Sequence, residues 1–211
     1  MIVTKRDIDV LPWVNGWNGV TVEQIANRWD VDFSTAARRV RKLIEAGLLQ
    51  RHYVNGLSIQ PIAVTQDGCS IAGDTLRPLP GIRLATWRHD SMAVDLERRL
   101  FAMFGKGTLN PDRRIRENLR VRGIKGSHIP DIEFVPVQGR PIAIELELSM
   151  KAPARLQAII DAYGTGKLYA EVYYLVPDVS MGRYVRKFID GHEDKVRVVL
   201  ISSPRNSWCL S

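Results

Sequence analysis

The sequence predicts an α+β chain: an N-terminal domain of three helices and a β-hairpin, followed by an α/β domain with a mixed sheet. Three observations predict it. Apolar residues recur at helical spacing along residues 36–44, an Asn55-Gly56 pair separates two strand-like runs, and strand-like and helix-like stretches alternate from Asp131 onward.

The first helix is expected over residues 8–14. Thr21 opens the second, with Glu23 and Gln24 in its first turn and Ile25 and Ala26 inward. After a short turn at residues 30–32, Ser34 is the expected N-cap of a third helix that ends near Glu45, with Gly47 as its stop. Ala36, Val40, Leu43 and Ile44 stand at i, i+4, i+7 and i+8 and define one buried stripe. Thr35, Arg38, Arg41 and Lys42 fall on the opposite side, with Arg39 at its flank. Two strands, 48–54 and 57–64, should meet in a type I′ turn at Asn55-Gly56. The stretch 76–84 contains Arg-Pro-Leu-Pro-Gly and reads as extended. The expected division is therefore a domain at 1–76, a linker at 77–87 and a second domain at 88–211. In that second domain the pattern predicts a helix over 88–104 and strands over 119–124, 131–137 and 142–148. A helix over 153–163, a strand over 172–176, a helix over 181–189 and a strand over 196–202 follow. The five tryptophans, at 13, 17, 29, 87 and 208, and the tyrosines 163, 169, 173 and 174 are assigned to the core.

Composition excludes several classes. The 211 residues are 45% hydrophobic and 25% charged, ordinary globular usage. Cys69 and Cys209 are far apart and the four histidines are scattered, so neither a disulfide framework nor a zinc spacing is present. No apolar run approaches the length of a membrane span, and the N-terminus lacks a secretion signal, so a cytoplasmic protein is expected. No phosphate-cradling glycine loop, dinucleotide fingerprint or Ser-His-Asp signature occurs. The net charge is +7. Residues 81–130 hold eleven Lys/Arg against five Asp/Glu, while 1–80 hold nine against eight and 131–211 ten against ten. A local basic block of this kind favours a polyanion partner.

The third helix presents what a major-groove reader needs: cations and donors on one exposed face. The expected DNA contacts there are Thr35, Arg38, Arg39, Arg41 and Lys42. Arg51 in the hairpin, with His52 and Asn55, would lie beside the phosphates or in the minor groove. Arg113, Arg114 and Arg116 either line a DNA channel or lie in a solvated loop and edge strand. The run VTVEQIANRWDVDFSTAARRVRKLIEAGLLQRHYVNG resembles the winged helix-turn-helix of bacterial regulators over residues 5–65. That resemblance implies a double-stranded DNA partner for which no cofactor is required.

Asp131 begins one strand, and Glu145, Glu147 and Ser149 alternate along the next, so the latter three share a face. A hairpin would bring Asp131 beside Glu145 and Glu147. Clustered carboxylates repel each other, and a divalent cation such as Mg²⁺ would relieve the repulsion. Here the chain resembles the PD-(D/E)xK nuclease fold, with Asp131 as the motif's Asp and Glu145 as its acidic residue. Both would be the metal ligands if the site is active. Glu147 occupies the lysine position. If Glu147 is the acid instead, Ser149 stands where the lysine belongs, and Lys151 would have to reach back. Asp95 or Glu97 is the candidate for an added helix-borne acid.

The order of VTQDG, WRHDSMAVDLERRL and IPDIEF…IAIELELSMK…Y resembles the replication-relaxation family of plasmid, phage and integrative-element proteins. It implies a role in replication, relaxation or maintenance of a mobile element. With the motif lysine missing, the expected protein is a DNA-binding factor acting in replication, relaxation or transcriptional control, with a noncatalytic nuclease-like domain. A homodimer is expected, with replication or conjugation proteins as further partners. Two readings stand beside this one: a Mg²⁺-dependent endonuclease or nickase using Asp131, Glu145, Glu147 and Lys151, and a protein-recruitment adaptor.

Overall fold

The structure is a computed structural model, and it describes residues 2–122, 128–201 and 209–210. Lys125 and Trp208 lie outside the described residues, as do the last residues of the strands expected at 119–124 and 196–202. The described chain is α+β and divides into two compact units, Met1–Glu97 and Arg98–Ser211.

In the first unit, α1 (Lys5–Gly16) opens with a reciprocal cap between Thr4 and Asp7, and α2 (Val22–Trp29) with one between Thr21 and Gln24. Each box satisfies backbone donors that a helix start leaves orphaned. Asp30, at φ 55°, takes the left-handed conformation that ends α2. α3 (Phe33–Glu45) is capped by Asp32 and not by Ser34: the Asp32 carboxylate accepts the Thr35 amide at 2.9 Å. The acidic side chain displaces the expected cap because it also takes both neighbouring hydroxyls, Ser34 at 2.5 Å and Thr35 at 2.7 Å. Ala36, Val40 and Leu43 are fully buried, as are Leu11, Ile25 and Leu49, while Ile44 is only half-buried.

The hairpin is shorter than its apolar pattern. β1 (Leu49–Arg51) pairs antiparallel with β2 (Ile62–Val64), and Val20 bridges to Ile62 as a further rung. The Val54–Leu57 turn closes at 3.1 Å, but only Gly56, at φ 89°, has positive φ. Type I′ needs two such residues, so the turn fits type II and no tight hairpin forms around it. After β2 the chain makes an unanticipated helix, α4 (Gln66–Ala72), capped by Thr65 and ended by Gly73. Within it, a Cβ at Gly68 would collide with the Leu48 carbonyl.

The stretch expected as a linker, 77–87, lies within the first unit, and so does α5 (Leu84–Asp95). The helix expected over 88–104 breaks at Leu96 into α5 and α6 (Glu97–Phe104). Polar ties explain why α5, together with Glu97 at the start of α6, belongs with α1 and α2. Gln24 donates to the Ser91 carbonyl and to Asp95, both at 2.9 Å, and Glu97 accepts from Trp13 at 2.6 Å and pairs with Arg28 at 2.5 Å.

The second unit is a mixed sheet in the order β3 (Gly107–Pro111), β4 (Ile132–Pro136), β5 (Ile142–Leu146), β6 (Val172–Val176), β7 (Val196–Leu200), with the two-residue β8 (Cys209–Leu210) at its edge. β3–β4–β5 are antiparallel, and β5–β6–β7 are parallel through α8 (Pro153–Thr165) and α9 (Val179–Arg186). Where a strand was expected at 119–124, the chain is helical to Val121 in α7 (Asp112–Val121): Ile115 and Leu119, at i and i+4, are its buried pair. β3, with Gly, Asn and Pro among its five residues, carries no strand-like composition and was not anticipated. One sheet face packs Ala143, Val172, Tyr174 and Val198 with Leu156, Ile160 and Tyr163 of α8. On the other, Phe101 packs edge-on against Phe134 and Phe104 packs tilted against it, with ring centroids 5.7 and 5.2 Å apart.

Candidate nucleic-acid interface and carboxylate cluster

The outer side of α3 is cationic. Arg38, Arg41 and Lys42 are exposed, and none of them forms an ion pair among the described residues. Arg51, on β1, is likewise exposed. Thr35 is half-buried and donates its hydroxyl to Asp32, which leaves its oxygen lone pairs as the free group. The hydrogen bonds from Ser34 and Thr35 hold the exposed Asp32 carboxyl well below the usual carboxylate range. In the loop after β1, Asn55 is exposed, whereas His52 is half-buried and burial pushes its pKa down.

Arg39 departs from the exposed flank expected for it. Its side chain is only 17% exposed, it donates from Nε to Asp7 Oδ1 at 2.8 Å and from Nη2 to the Ile2 carbonyl at 2.9 Å, and a second contact joins Nη2 to the Asp7 carboxylate. Asp7 itself is fully buried. Burial raises the Asp7 carboxyl, but the Arg39 and Thr4 hydrogen bonds outweigh it and hold the group below its ordinary value. The Thr4-x-x-Asp7 cap was a signal in the sequence for this anchor; nothing local marks Arg39 as its partner.

Arg113, Arg114 and Arg116 lie on α7, a helix, and not in a loop and edge strand. Arg113 and Arg114 are half-buried. The exposed Arg116 is answered by Asp112 at 3.4 Å and Arg120 by Glu117 at 2.7 Å within the same helix.

The carboxylates converge as the strand pattern implies. Extending the β4–β5 register one step beyond Ile132↔Ile144 sets Asp131 opposite Glu145, and the parallel register sets Glu145 beside Tyr174. Residues paired across strands share a face. Asp131 Oδ2 accepts the Leu146 amide at 2.8 Å, which fastens the start of β4 to the end of β5. Glu145 and Glu147 are buried. Glu145 Oε1 receives Tyr163 Oη at 2.5 Å and contacts His128 Nε2 at 2.8 Å. Lys151 reaches back along the chain to donate to Glu147. Neither His128 nor Tyr163 was singled out in the sequence as a partner of Glu145. Asp95 and Glu97 are engaged by Gln24, Trp13 and Arg28 within the first unit.

Burial pushes the Glu145 carboxyl up; the His128 and Tyr163 hydrogen bonds oppose that, and neighbouring Asp131 adds to it. Tyr163 and Tyr174 are driven above the usual phenol range, first by burial and then by carboxylate neighbours. A folded pKa above the unfolded value gives stability that is full below the unfolded pKa and lost as pH rises through the folded one. Glu145→Gln should therefore gain on the wild type between pH 4 and pH 8, by a few degrees in Tm for each ~1 kcal/mol. Melting curves across that range check it, and a constant difference would remove burial as the dominant influence on Glu145.

The Mg²⁺ that a nuclease-like fold implies does not fit the donors as they stand. Such an ion requires several converging oxygens with free lone pairs. Here Glu145 Oε1 accepts from two side chains, Glu147 is neutralised by Lys151 and Asp131 accepts a backbone amide. Among the described residues no three His, Cys, Asp or Glu side chains are grouped to hold a metal. The arrangement is a hydrogen-bonded network that joins β4, β5 and α8. No protein-family profile and no curated protein matches the chain.

Proposed function

We propose that the protein binds double-stranded DNA through α3, as a winged helix-turn-helix protein, and that its second unit is a nuclease-like scaffold without catalytic function. The observation that carries this reading is the exposed row of Arg38, Arg41 and Lys42, free of intramolecular partners among the described residues while Arg39 beside them is tied inward. Uncompensated cations on one helix face cost little in water and are of use to a polyanion. The sequence resemblance to proteins of plasmids, phages and integrative elements supports a role for that binding in replication, relaxation or transcriptional control of such an element. Asp131, Glu145, Glu147 and Lys151 serve in this reading to hold the sheet and α8 together.

The test is the salt dependence of binding. Each phosphate neutralised on duplex DNA contributes about −0.9 to the slope of log K against log salt, so three or four contacts predict a loss of about 40- to 150-fold between 50 and 200 mM KCl. Fluorescence anisotropy with a 40-base-pair duplex and the full chain measures it directly. Affinity that does not change with salt would remove the reading.

A further inference from the structure

We infer that Phe33 reads the thymine methyl group, so that α3 selects thymine-bearing sites by an apolar contact as well as by charge. The inference rests on the proposed DNA binding and deepens it. Phe33 is the first residue of α3, and it is 60% exposed. It supplies neither the cap nor the staple of the helix. The capping carboxylate is Asp32, and the position that would staple the chain against the first turn belongs to Val31, one residue before the cap. Phenylalanine is also a weaker helix former than the alanine that could stand there.

Its placement is specific. Phe33, Ala37 and Arg41 stand at i, i+4 and i+8 and form one ridge of α3, and Ser34, Arg38 and Lys42 form the ridge beside it. Ala37 is half-buried and the other five are exposed. The helix face thus has an apolar ring and a hydroxyl at its N-terminal end and three cations further along. In helix-turn-helix docking the N-terminal residues of the recognition helix meet base edges. Of the groups displayed in the major groove, the apolar one is the thymine C5 methyl, and phenylalanine is among the side chains that contact it. The exposed cations behind the ring are then available to the flanking phosphates.

The experiment uses a duplex recovered by in vitro selection from a random pool with the full-length wild type, then resynthesised with deoxyuridine in place of thymidine. This removes the methyl and keeps the base pair. Burying one methyl-sized group predicts about a fourfold weaker wild-type affinity for the uracil duplex. Phe33→Ala should bind both duplexes equally, at about the weaker affinity. A residue this exposed leaves the fold intact when truncated, which an unchanged melting curve confirms. Equal wild-type affinity for the two duplexes, retained discrimination in Phe33→Ala, or a selection that enriches no sequence each overturns the inference while leaving salt-dependent DNA binding in place. Absence of any duplex binding by the wild type overturns both.

Discussion

Replacing Arg38, Arg41 and Lys42 together by alanine should weaken duplex binding about a hundredfold at 100 mM salt and reduce the salt slope by nearly three. The slope follows from counting: each phosphate-contacting cation removed takes away about 0.9. The affinity follows from about 1 kcal/mol per cation, since each 1.4 kcal/mol is a factor of ten. All three side chains are exposed and unpaired among the described residues, and alanine is the strongest helix former, so melting should barely move. This separates the loss from unfolding. Lys5→Ala is the matched control, because that exposed ammonium is already answered by Asp9 at 2.7 Å and lies on a different helix. It should change affinity less than about twofold. Equal losses from control and triple variant would mean that the binding reports net charge and not a helix face.

Much of the frame was legible because its signals are local and strong. The buried row on α3, the order of β4, β5, α8, β6, α9 and β7, and the convergence of Asp131 on Glu145 each follow from a repeat of 3.6 or 2 residues. The errors share a cause: the deciding interaction lay elsewhere in the chain or competed at close range. Asp32 outbid Ser34 as a cap by taking three donors at once. α5, and Glu97 just after it, joined the first unit through Gln24, Trp13 and Arg28, which lie 67 to 84 residues away in sequence. β3 is a strand because β4 pairs with it, and its own composition argues otherwise. At the carboxylates, Lys151 does reach back, but the partners that occupy Glu145 come from an unpatterned segment, at His128, and from α8, at Tyr163. No spacing rule joins them to a strand residue.

The second large effect is on stability, and it decides the place of Arg39. Arg39→Ala should destabilise the protein by about 3–5 kcal/mol at pH 7, because it leaves the fully buried Asp7 carboxylate without its counter-charge. At about 4–8 °C per kcal/mol for a unit of this size, the first unit should melt tens of degrees lower. The pH dependence has a definite sign. In the wild type the Asp7 carboxyl titrates below its ordinary value of 3.8, so its contribution is present above that pH and lost as pH falls through the folded pKa. Without Arg39, burial is opposed by Thr4 alone, the folded pKa rises, and acid costs the variant less; the two melting curves should therefore converge toward pH 2. Asp7→Asn with Arg39→Met, which removes both charges and keeps the volume, should recover much of the loss, since a buried ion pair is often replaceable by apolar packing. If Arg39→Ala instead melts beside the wild type at neutral pH and loses DNA affinity, then the guanidinium belongs to the DNA-facing row with Arg38 and Arg41, and the inward tie to Asp7 is not what holds it.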